Sequence, residues 1–232
     1  MNNIWDKIPY DTNNDNHVVI RDFIIPQILT EGSWLAGGSV RRAYLQDKSI
    51  RHDFDIFFRS EEFMEEVEGI VRAFCFQREY DSANAITYSG YFKYYPITIQ
   101  LIHRQYYNSL EETLESFDFD ICKAGITFEG SLVVDKNFES YNLTKNIGVS
   151  NVLRNLDYTS SHHIGRLFKF LKEGYKISPE DLRMLFSKLD FSGSDEDEAV
   201  STIYNLHREL EKGADLLTNE VIDVINARLQ AI

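Results

Sequence analysis

The aspartate pair in the segment DFDIFF constrains this chain more than any other feature of its sequence. Alternation of polar and apolar residues predicts a strand there, with Asp53 and Asp55 on one side and Phe54 and Ile56 on the other. Two carboxylates aimed at one place concentrate negative charge that a divalent cation can neutralise. Mg²⁺ prefers such oxygen ligands next to substrate phosphates. We therefore predict that Asp53 and Asp55 are metal ligands.

A Gly-Gly-Ser turn precedes the aspartates, with thirteen residues between Ser39 and Asp53. It follows a short apolar strand predicted at residues 33–36. Glycines let backbone amides approach a triphosphate closely, and a serine hydroxyl can donate to a phosphate beside them. An arginine pair after the turn adds positive charge. The residues predicted to bind the nucleotide in this segment are Gly37, Gly38, Ser39, Arg41 and Arg42.

The order of strand, glycine turn, arginine and Asp-x-Asp resembles the polymerase-β-like nucleotidyltransferase superfamily. The similarity is closer to the tRNA CCA-adding enzyme and bacterial poly(A) polymerase branch, which keeps an arginine where this chain has Arg41. The resemblance covers roughly residues 30 to 180. It implies an α+β fold, in which a nucleotidyltransferase head with a small mixed sheet flanked by helices precedes a short all-helical C-terminal unit.

The resemblance also implies an activity. A Mg²⁺-dependent, ATP- or other NTP-binding enzyme of this kind moves a nucleoside monophosphate to an acceptor hydroxyl and releases pyrophosphate, with a two-ion site. The acceptor is not identified, so a short RNA end, a protein hydroxyl and a small molecule stay open. The alternative is a catalytically degenerate member that binds a nucleotide or a protein partner.

A second stretch extends the resemblance. SLEETLESFDFDICKAGITF is similar in layout to a helix and strand of that branch, and Asp118 matches the aspartate that recognises the nucleotide sugar. Asp120 shares a strand face with Asp118 in this interpretation, although both acids could simply cap neighbouring amides. HHIGRLFKFLKEGYKIS is similar to the neck helix, which makes Arg166 and Lys169 candidate nucleotide contacts, with a solvated helix face as the alternative.

Three departures from the branch are visible. Arg42 stands where the branch usually has an aspartate, and Phe117 replaces an arginine. In YPITIQLIHR, where a third carboxylate often lies, the chain offers Thr98 and Gln100. The metal site would then be weaker than the family norm, unless Asp120 supplies the missing charge. The catalytic set implied by the resemblance is Asp53, Asp55 and Asp118.

Other titratable residues are given structural roles. His162 and His163 precede the neck-like helix and are interpreted as helix-entry residues, because no third metal ligand is visible. Cys75 and Cys122 lie in apolar runs without a CxxC spacing, which predicts small core residues and no disulfide.

The rest of the sequence predicts a mixed α/β part followed by helices. Apolar spacing predicts one helix that ends near Gly32 and another over EEFMEEVEGIVRAFCF, and AITYSGYFKYYPITIQLI predicts a hairpin that turns at Ser-Gly. A short helix capped by a serine lies in SLEETLES. Because only helical patterns follow, we predict a catalytic domain at residues 1–149 and a helical neck-like domain at 150–232.

Charge and hydropathy narrow the partners. The formal net charge of −13 disfavours binding to extended nucleic acid. Local basic grooves remain possible, one of them along Arg166 and Lys169. The N-terminal stretch lacks a signal-peptide core, and no window approaches the ~18 apolar residues of a membrane span. We expect a cytoplasmic protein. The branch's tRNA-gripping body has no room in this sequence, so CCA addition is not expected.

Overall fold

The computed structural model describes residues 15–47, 53–149 and 160–188, and the single positions 201, 223, 225 and 227. The described residues divide into two compact units. The first lies within 1–115 and 122–136, and the second within 116–121 and 137–232. The domain boundary after residue 149 stays a prediction. The helical patterns of the sequence after residue 198 lie outside the described residues, apart from single positions.

The first unit contains a seven-stranded mixed sheet. Its strands in chain order are β1 Ser33–Ala36, β2 Asp53–Phe58, β3 Gln77–Asp81, β4 Ala85–Phe92, β5 Tyr95–Ile102, β6 Ala124–Thr127 and β7 Leu132–Val134. They lie in the order β3-β4-β5-β2-β1-β6-β7. The β2–β5 pair is parallel and the other pairs are antiparallel. The predicted α+β fold is confirmed, and so are the strands predicted at residues 33–36 and in the segment DFDIFF.

Helices cover both faces of this sheet. They are α1 Asp15–Val19, continued by a π-helix Ile20–Ile28, then α2 Gly38–Tyr44, α3 Glu61–Ala73 and α4 Leu110–Glu115. Helix α3 buries Met64, Val67 and Val71 and packs on β1 and β2. Helix α4 packs on β1 and β6, where the Trp34 Nε1–H donates to Thr113 Oγ1 at 2.9 Å. Apolar burial on the α3 side supplies the main core of this unit.

The second unit is mainly helical. Its elements are α5 Phe138–Thr144, β8 Asn146–Ile147, α6 Ser160–Lys172, β9 Lys176–Ile177 and α7 Pro179–Lys188. Helix α7 begins at a serine cap, because the Ser178 hydroxyl oxygen accepts the Asp181 N–H at 3.0 Å. The two-residue strands β8 and β9, which pair in parallel, were not predicted. Strands this short carry no alternation from which to predict them.

Two turns differ from the sequence prediction. The hairpin turns between Phe92 and Tyr95, not at Ser89-Gly90. Gly90 stays within β4, where a Cβ would come within 2.6 Å of the Phe76 ring, so close packing explains this glycine. The first helix ends at Ile28, short of Gly32, because Leu29 adopts an extended conformation and its N–H closes on Ile24 O.

Three further predictions failed. The stretch before β6 is not a continuous strand, because residues 120–122 form a 3-10 turn. Helix α2 and strand β3 were missed; the first is short and begins with glycines, and the second is wholly exposed and polar. Cys75 is exposed, since it adopts φ 61° after the end of α3, whereas Cys122 is buried as expected.

Candidate active site

The aspartate pair lies on one face of β2, as the alternation predicts. Phe54 and Ile56 are fully buried, whereas Asp53 is exposed and Asp55 is half-buried. Asp55 is the strand partner of Ala36, the last residue of β1. Because β1 and β2 are antiparallel, the chain leaves β1 beside the start of β2. The turn that follows β1 and the two carboxylates are therefore neighbours within the first unit.

That turn depends on Gly37. Its φ of 90° and ψ of −138° form a conformation that residues with a Cβ rarely adopt. The Gly37 N–H donates to Ala124 O at 2.8 Å, and the Gly37 carbonyl accepts the Arg41 N–H at 3.0 Å. The amides of Gly38 and Ser39 precede this first intrahelical bond, where helix geometry offers them no carbonyl. Of the predicted triphosphate amides, the one on Gly37 is thus engaged in the sheet.

The side chains after the turn are buried. Arg41 and Arg42 are only 2% and 5% exposed, which is uncommon for arginine. The Arg42 Nη1 atom lies 3.2 Å from the place that a Cβ on Gly38 would occupy. Ser39 is fully buried, and its hydroxyl has no hydrogen-bond partner. Because an unsatisfied buried hydroxyl is costly, this atom is a candidate ligand contact.

Thr98 and Gln100 occupy the positions beside the acids on β5. Thr98 is the strand partner of Asp53 and Gln100 is the strand partner of Asp55. The place where a third carboxylate would lie is therefore neutral. Among the described residues, no group of three or more His, Cys, Asp or Glu side chains could hold a metal ion.

Two carboxylates on one face still fit Mg²⁺, which is commonly held by one or two carboxylates while phosphates and water complete its shell. The donor set of Asp53 and Asp55 is of this kind. Because only these two carboxylates are predicted ligands, the phosphates of a bound nucleotide would supply much of the coordination.

Asp118 lies in the second unit and is fully buried. Its Oδ1 contacts Arg166 Nη1 at 3.0 Å and accepts the Phe119 N–H at 2.9 Å, while Oδ2 contacts His163 Nδ1 at 3.0 Å. Because an ionised carboxylate only accepts, His163 carries its hydrogen on Nδ1. The capping alternative for Asp118 is thus correct in part.

The charge state of Asp118 follows from this cluster. Burial alone would raise the pKa of Asp118, but the Arg166 charge and the His163 hydrogen bond outweigh burial and hold that pKa below its ordinary value. Arg166 also lies over the Phe119 ring, 5.6 Å from its centroid. The carboxylate is ionised and bound by protein groups on both oxygens.

The remaining residues that were predicted to contact the nucleotide are Asp120, Lys169 and Arg166. Asp120 is 5% exposed, and its Oδ2 lies 2.6 Å from where a Cβ on Gly148 would be. The 3-10 turn removes the argument that Asp120 shares a strand face with Asp118. Lys169 is exposed on α6. Arg166, one helical turn earlier, is half-buried. Of these two side chains, only Arg166 contacts Asp118 in the described contacts.

Sequence reasoning missed His163 as a member of a charged cluster. It was interpreted as a helix-entry residue, but it is 1% exposed and bonded to Asp118, forty-five residues away. A histidine three residues before an arginine on an apolar helix was the available signal, since that spacing places both on one helix face.

Comparison with known proteins identifies the family. Residues 8–145, more than half of the chain, match the family model described as Gad2, Gabija anti-defense 2 family protein. The chain belongs to the Gad2 family. No curated protein matches the sequence of this Gad2-family chain.

Solved structures show the fold of this Gad2-family chain. A tRNA-processing enzyme (apo form I) matches at 15% identity and a TM-score of 0.56, covering 90% of this chain and 58% of that one. A tRNA nucleotidyltransferase with a primer tRNA and an ATP analog matches at 16% and 0.55, covering 82% and 59%. A CCA-adding enzyme with CTP matches at 19% and 0.51, covering 86% and 47%.

These likenesses confirm the polymerase-β-like nucleotidyltransferase fold of the Gad2-family chain. At 15–19% identity they show the fold alone. The chain spans about half the length of the solved proteins it matches. Within the described ranges, none of the helices has the length and apolar character needed to cross a bilayer.

Proposed function

We propose that this Gad2-family chain transfers a nucleoside monophosphate from an NTP to an acceptor hydroxyl. The observation that carries the proposal is the pairing of Asp55 with Ala36, because it brings two carboxylates beside the Gly37 turn. The fold of the first unit, which is that of nucleotidyltransferases, supports it. The family description adds a setting: the reaction would serve an anti-defence role against Gabija.

In this proposal Asp53 and Asp55 hold Mg²⁺ together with the nucleotide phosphates. Bound Mg²⁺ would lower the charge repulsion between the attacking oxygen and the triphosphate. The amides of Gly38 and Ser39 and the Ser39 hydroxyl contact phosphate oxygens, since the Gly37 amide is engaged by Ala124. Arg41 and Arg42 lie directly after the turn and add positive charge behind it.

The reaction is an in-line displacement at the α-phosphorus. The acceptor oxygen forms a bond to this phosphorus, and the bond from phosphorus to the oxygen that bridges to the β-phosphate breaks. The hydroxyl proton passes to a carboxylate of the pair and then to solvent. Pyrophosphate leaves with the bonding electrons.

The second-unit candidates take supporting parts in the proposal. Asp118 is buried and bound through both oxygens, so a role in sugar recognition would be exerted through Arg166, whose guanidinium Asp118 orients. Asp120 and Lys169 are retained as proposed nucleotide contacts. Loss of Asp118 should then weaken nucleotide binding no more than loss of Arg166 does.

The experiment is calorimetric titration with ATP, CTP, GTP and UTP in Mg²⁺, paired with a transfer assay using α-labelled NTP. We expect one NTP or more to bind, and binding to fall to background in the Asp53→Ala/Asp55→Ala variant. The matched control is Glu65→Ala/Glu66→Ala, which removes two exposed carboxylates from α3. Equal binding by the wild type and the aspartate variant would overturn the proposal.

A second candidate function is nucleotide binding without transfer. It is favoured by one observation, the neutral Thr98 and Gln100 beside the acids. In that case a nucleotide or protein partner binds the fold and no pyrophosphate is released. Binding that depends on the aspartates, with no label transferred to RNA, protein or small molecules of an extract, would select this candidate.

A further inference from the structure

A polar strip crosses the sheet of the first unit, beginning at the aspartate pair. We call it the acceptor face. It is defined by side chains of β5, β4 and β3 that lie on the same face as Asp53 and Asp55. They are Thr98, Gln100, Thr87, Ser89, their neutral β3 partners Gln77 and Tyr80, and Glu79. None of these residues is a metal ligand or a triphosphate contact in the proposed function.

Strand register places these side chains in two rows. Asp53 pairs with Thr98, which pairs with Ser89. Asp55 pairs with Gln100, which pairs with Thr87. Residues paired across a sheet project from the same face, and neighbouring strands are about 4.8 Å apart. Each row therefore extends from a carboxylate across two further strands.

Two details distinguish this face from an ordinary solvated one. Thr87 is 8% exposed, and its hydroxyl has no hydrogen-bond partner. Leaving a buried hydroxyl unsatisfied is costly unless a ligand or solvent pairs with it. Glu79 lies at the bulge of β3 and its carboxylate accepts the Ser89 hydroxyl, which fixes it over the same face.

The charge of this face selects among acceptors. It carries carboxylates at both ends, Asp53 and Glu79, and the four side chains between them are neutral hydroxyls or an amide. Arg78 on β3 is bonded to Asp81 and belongs to the alternate strand face. When Mg²⁺ neutralises Asp53 in the transfer complex, Glu79 remains as the charge of this face, and it attracts a cationic side chain and disfavours a phosphate beside it.

We propose that the acceptor face binds a basic protein segment whose serine, threonine or tyrosine hydroxyl receives the nucleotide. The acceptor face spans four neighbouring strands, a length that suits an extended segment better than a compact small molecule. Glu79 lies three strand spacings from β2, roughly 14 Å. An extended chain covers that distance in about four residues. A Lys or Arg about four residues from the hydroxyl therefore reaches Glu79.

This inference rests on the proposed function for its chemistry but not for its binding. Transfer forms a bond from the side-chain oxygen to the α-phosphorus, breaks the bond to the leaving pyrophosphate and sends the proton to the aspartate pair. Recognition by Glu79 needs none of these steps. Binding and transfer can therefore be measured apart.

The test uses two peptides of equal length and an oligoribonucleotide with a 3′ hydroxyl. One peptide carries serine and, four residues away, lysine; in the other, glutamate replaces the lysine. Fluorescence anisotropy measures peptide binding to the full chain, and α-labelled NTP with Mg²⁺ measures transfer. We expect the lysine peptide to bind and to be labelled about tenfold better than the glutamate peptide.

Variants at Glu79 test the residue itself. Glu79→Lys should lower the preference for the lysine peptide about tenfold, and Glu79→Gln, which can still pair with Ser89, about threefold. The matched control is Glu66→Lys, an equal charge change on the exposed side of α3, which should leave the preference unchanged. Circular dichroism of each variant checks that it is folded.

The outcomes separate the two proposals. Lysine-peptide binding that depends on Glu79 without any transfer would sink the proposed function and keep the acceptor face. Transfer that favours the oligoribonucleotide, or that ignores Glu79, would overturn the acceptor face and keep the proposed function. Equal binding of both peptides by the wild type also overturns it.

Discussion

The aspartate pair on β2 and the Asp118 cluster place carboxylates in opposite situations. Asp53 is exposed and Asp55 half-buried, and their strand partners on β5, Thr98 and Gln100, are neutral. Asp118 is fully buried and both its oxygens are bonded to protein groups. Asp53 carries its charge at the surface, where a ligand can neutralise it, whereas the charge of Asp118 is neutralised within the protein.

This difference separates function from stability. A carboxylate near solvent does not need charged neighbours to be stable, because water solvates its charge. A buried carboxylate is stable only with its partners, and removing one partner leaves an uncompensated charge. The acid that most resembles a catalytic residue by its surrounding motif is therefore not the one that most affects folding.

Alanine at each site should give the largest contrast. Asp118→Ala should lower the free energy of unfolding by about 3–5 kcal/mol, because it leaves Arg166 and His163 without their buried counter-charge. Asp53→Ala should change it by less than about 0.5 kcal/mol, as is usual for exposed sites. Urea denaturation measures both values.

If the two units unfold separately, a single unfolding free energy does not compare the two sites, and a local measurement is needed. The Phe119 amide donates to Asp118 Oδ1, so its hydrogen exchange should accelerate in Asp118→Ala and not in Asp53→Ala. Asp118→Asn is the conservative variant, since its side-chain oxygen can still accept that amide. Comparable losses of stability in the alanine variants would show that the two sites do not differ in this way.

Adding a third carboxylate to the first site should strengthen its metal binding. Gln100 is the strand partner of Asp55, so Gln100→Glu would extend the pair into a set of three acids. We expect Mg²⁺ to bind about tenfold more tightly in the presence of nucleotide, because affinity follows ligand charge. Calorimetric titration measures this change.

The control for that change is Gln77→Glu, an identical substitution on exposed β3, three strands from Asp53 in the same sheet. Its Mg²⁺ affinity should stay at the wild-type value. A similar increase in both variants would mean that general negative charge, and not a third ligand, is responsible.

The two sites also differ in how much of them the sequence predicts. The strand at 53–58, its burial alternation and the neutral Thr98 and Gln100 follow from local patterns, because strand geometry repeats every two residues. The Gly37 turn was predicted as a phosphate contact, yet the engagement of its amide by Ala124 was not. That bond joins residues far apart in sequence.

The Asp118 cluster was predicted only in part, for the same reason. Asp118 and Arg166 were both selected, but as separate nucleotide contacts, and His163 was assigned to a helix entry. Their ion pair depends on bringing residues 118 and 163–166 together, which no local period encodes. Gly90 shows the same limit, because the need for a glycine there comes from close packing against the Phe76 ring on another part of the chain.

The smallest expected effect is the change in the stability contributed by Asp118 as the pH is lowered. The pKa of Asp118 is below its ordinary value in the folded chain because Arg166 and His163 outweigh the effect of burial. The stability it contributes is fully present above the unfolded-state pKa, about 4, and is lost as pH falls through the lower folded-state pKa. The part of the difference in unfolding free energy between wild type and Asp118→Asn that comes from this carboxylate should therefore shrink as pH falls below about 4.

Arg166→Met tests the cause of that lowered pKa. Without the guanidinium, burial of the carboxylate is opposed only by His163, His162 and the Phe119 amide, so the pKa of Asp118 rises toward its unfolded-state value. The acid-dependent loss of stability should still begin near pH 4, but it should be smaller and be complete at a higher pH than in the wild type. Urea denaturation at pH values from 7 down to 2.5 follows both variants. A difference between wild type and Asp118→Asn that grows on acidification would contradict this account, because it would require the neutral form of Asp118 to be the stabilising one.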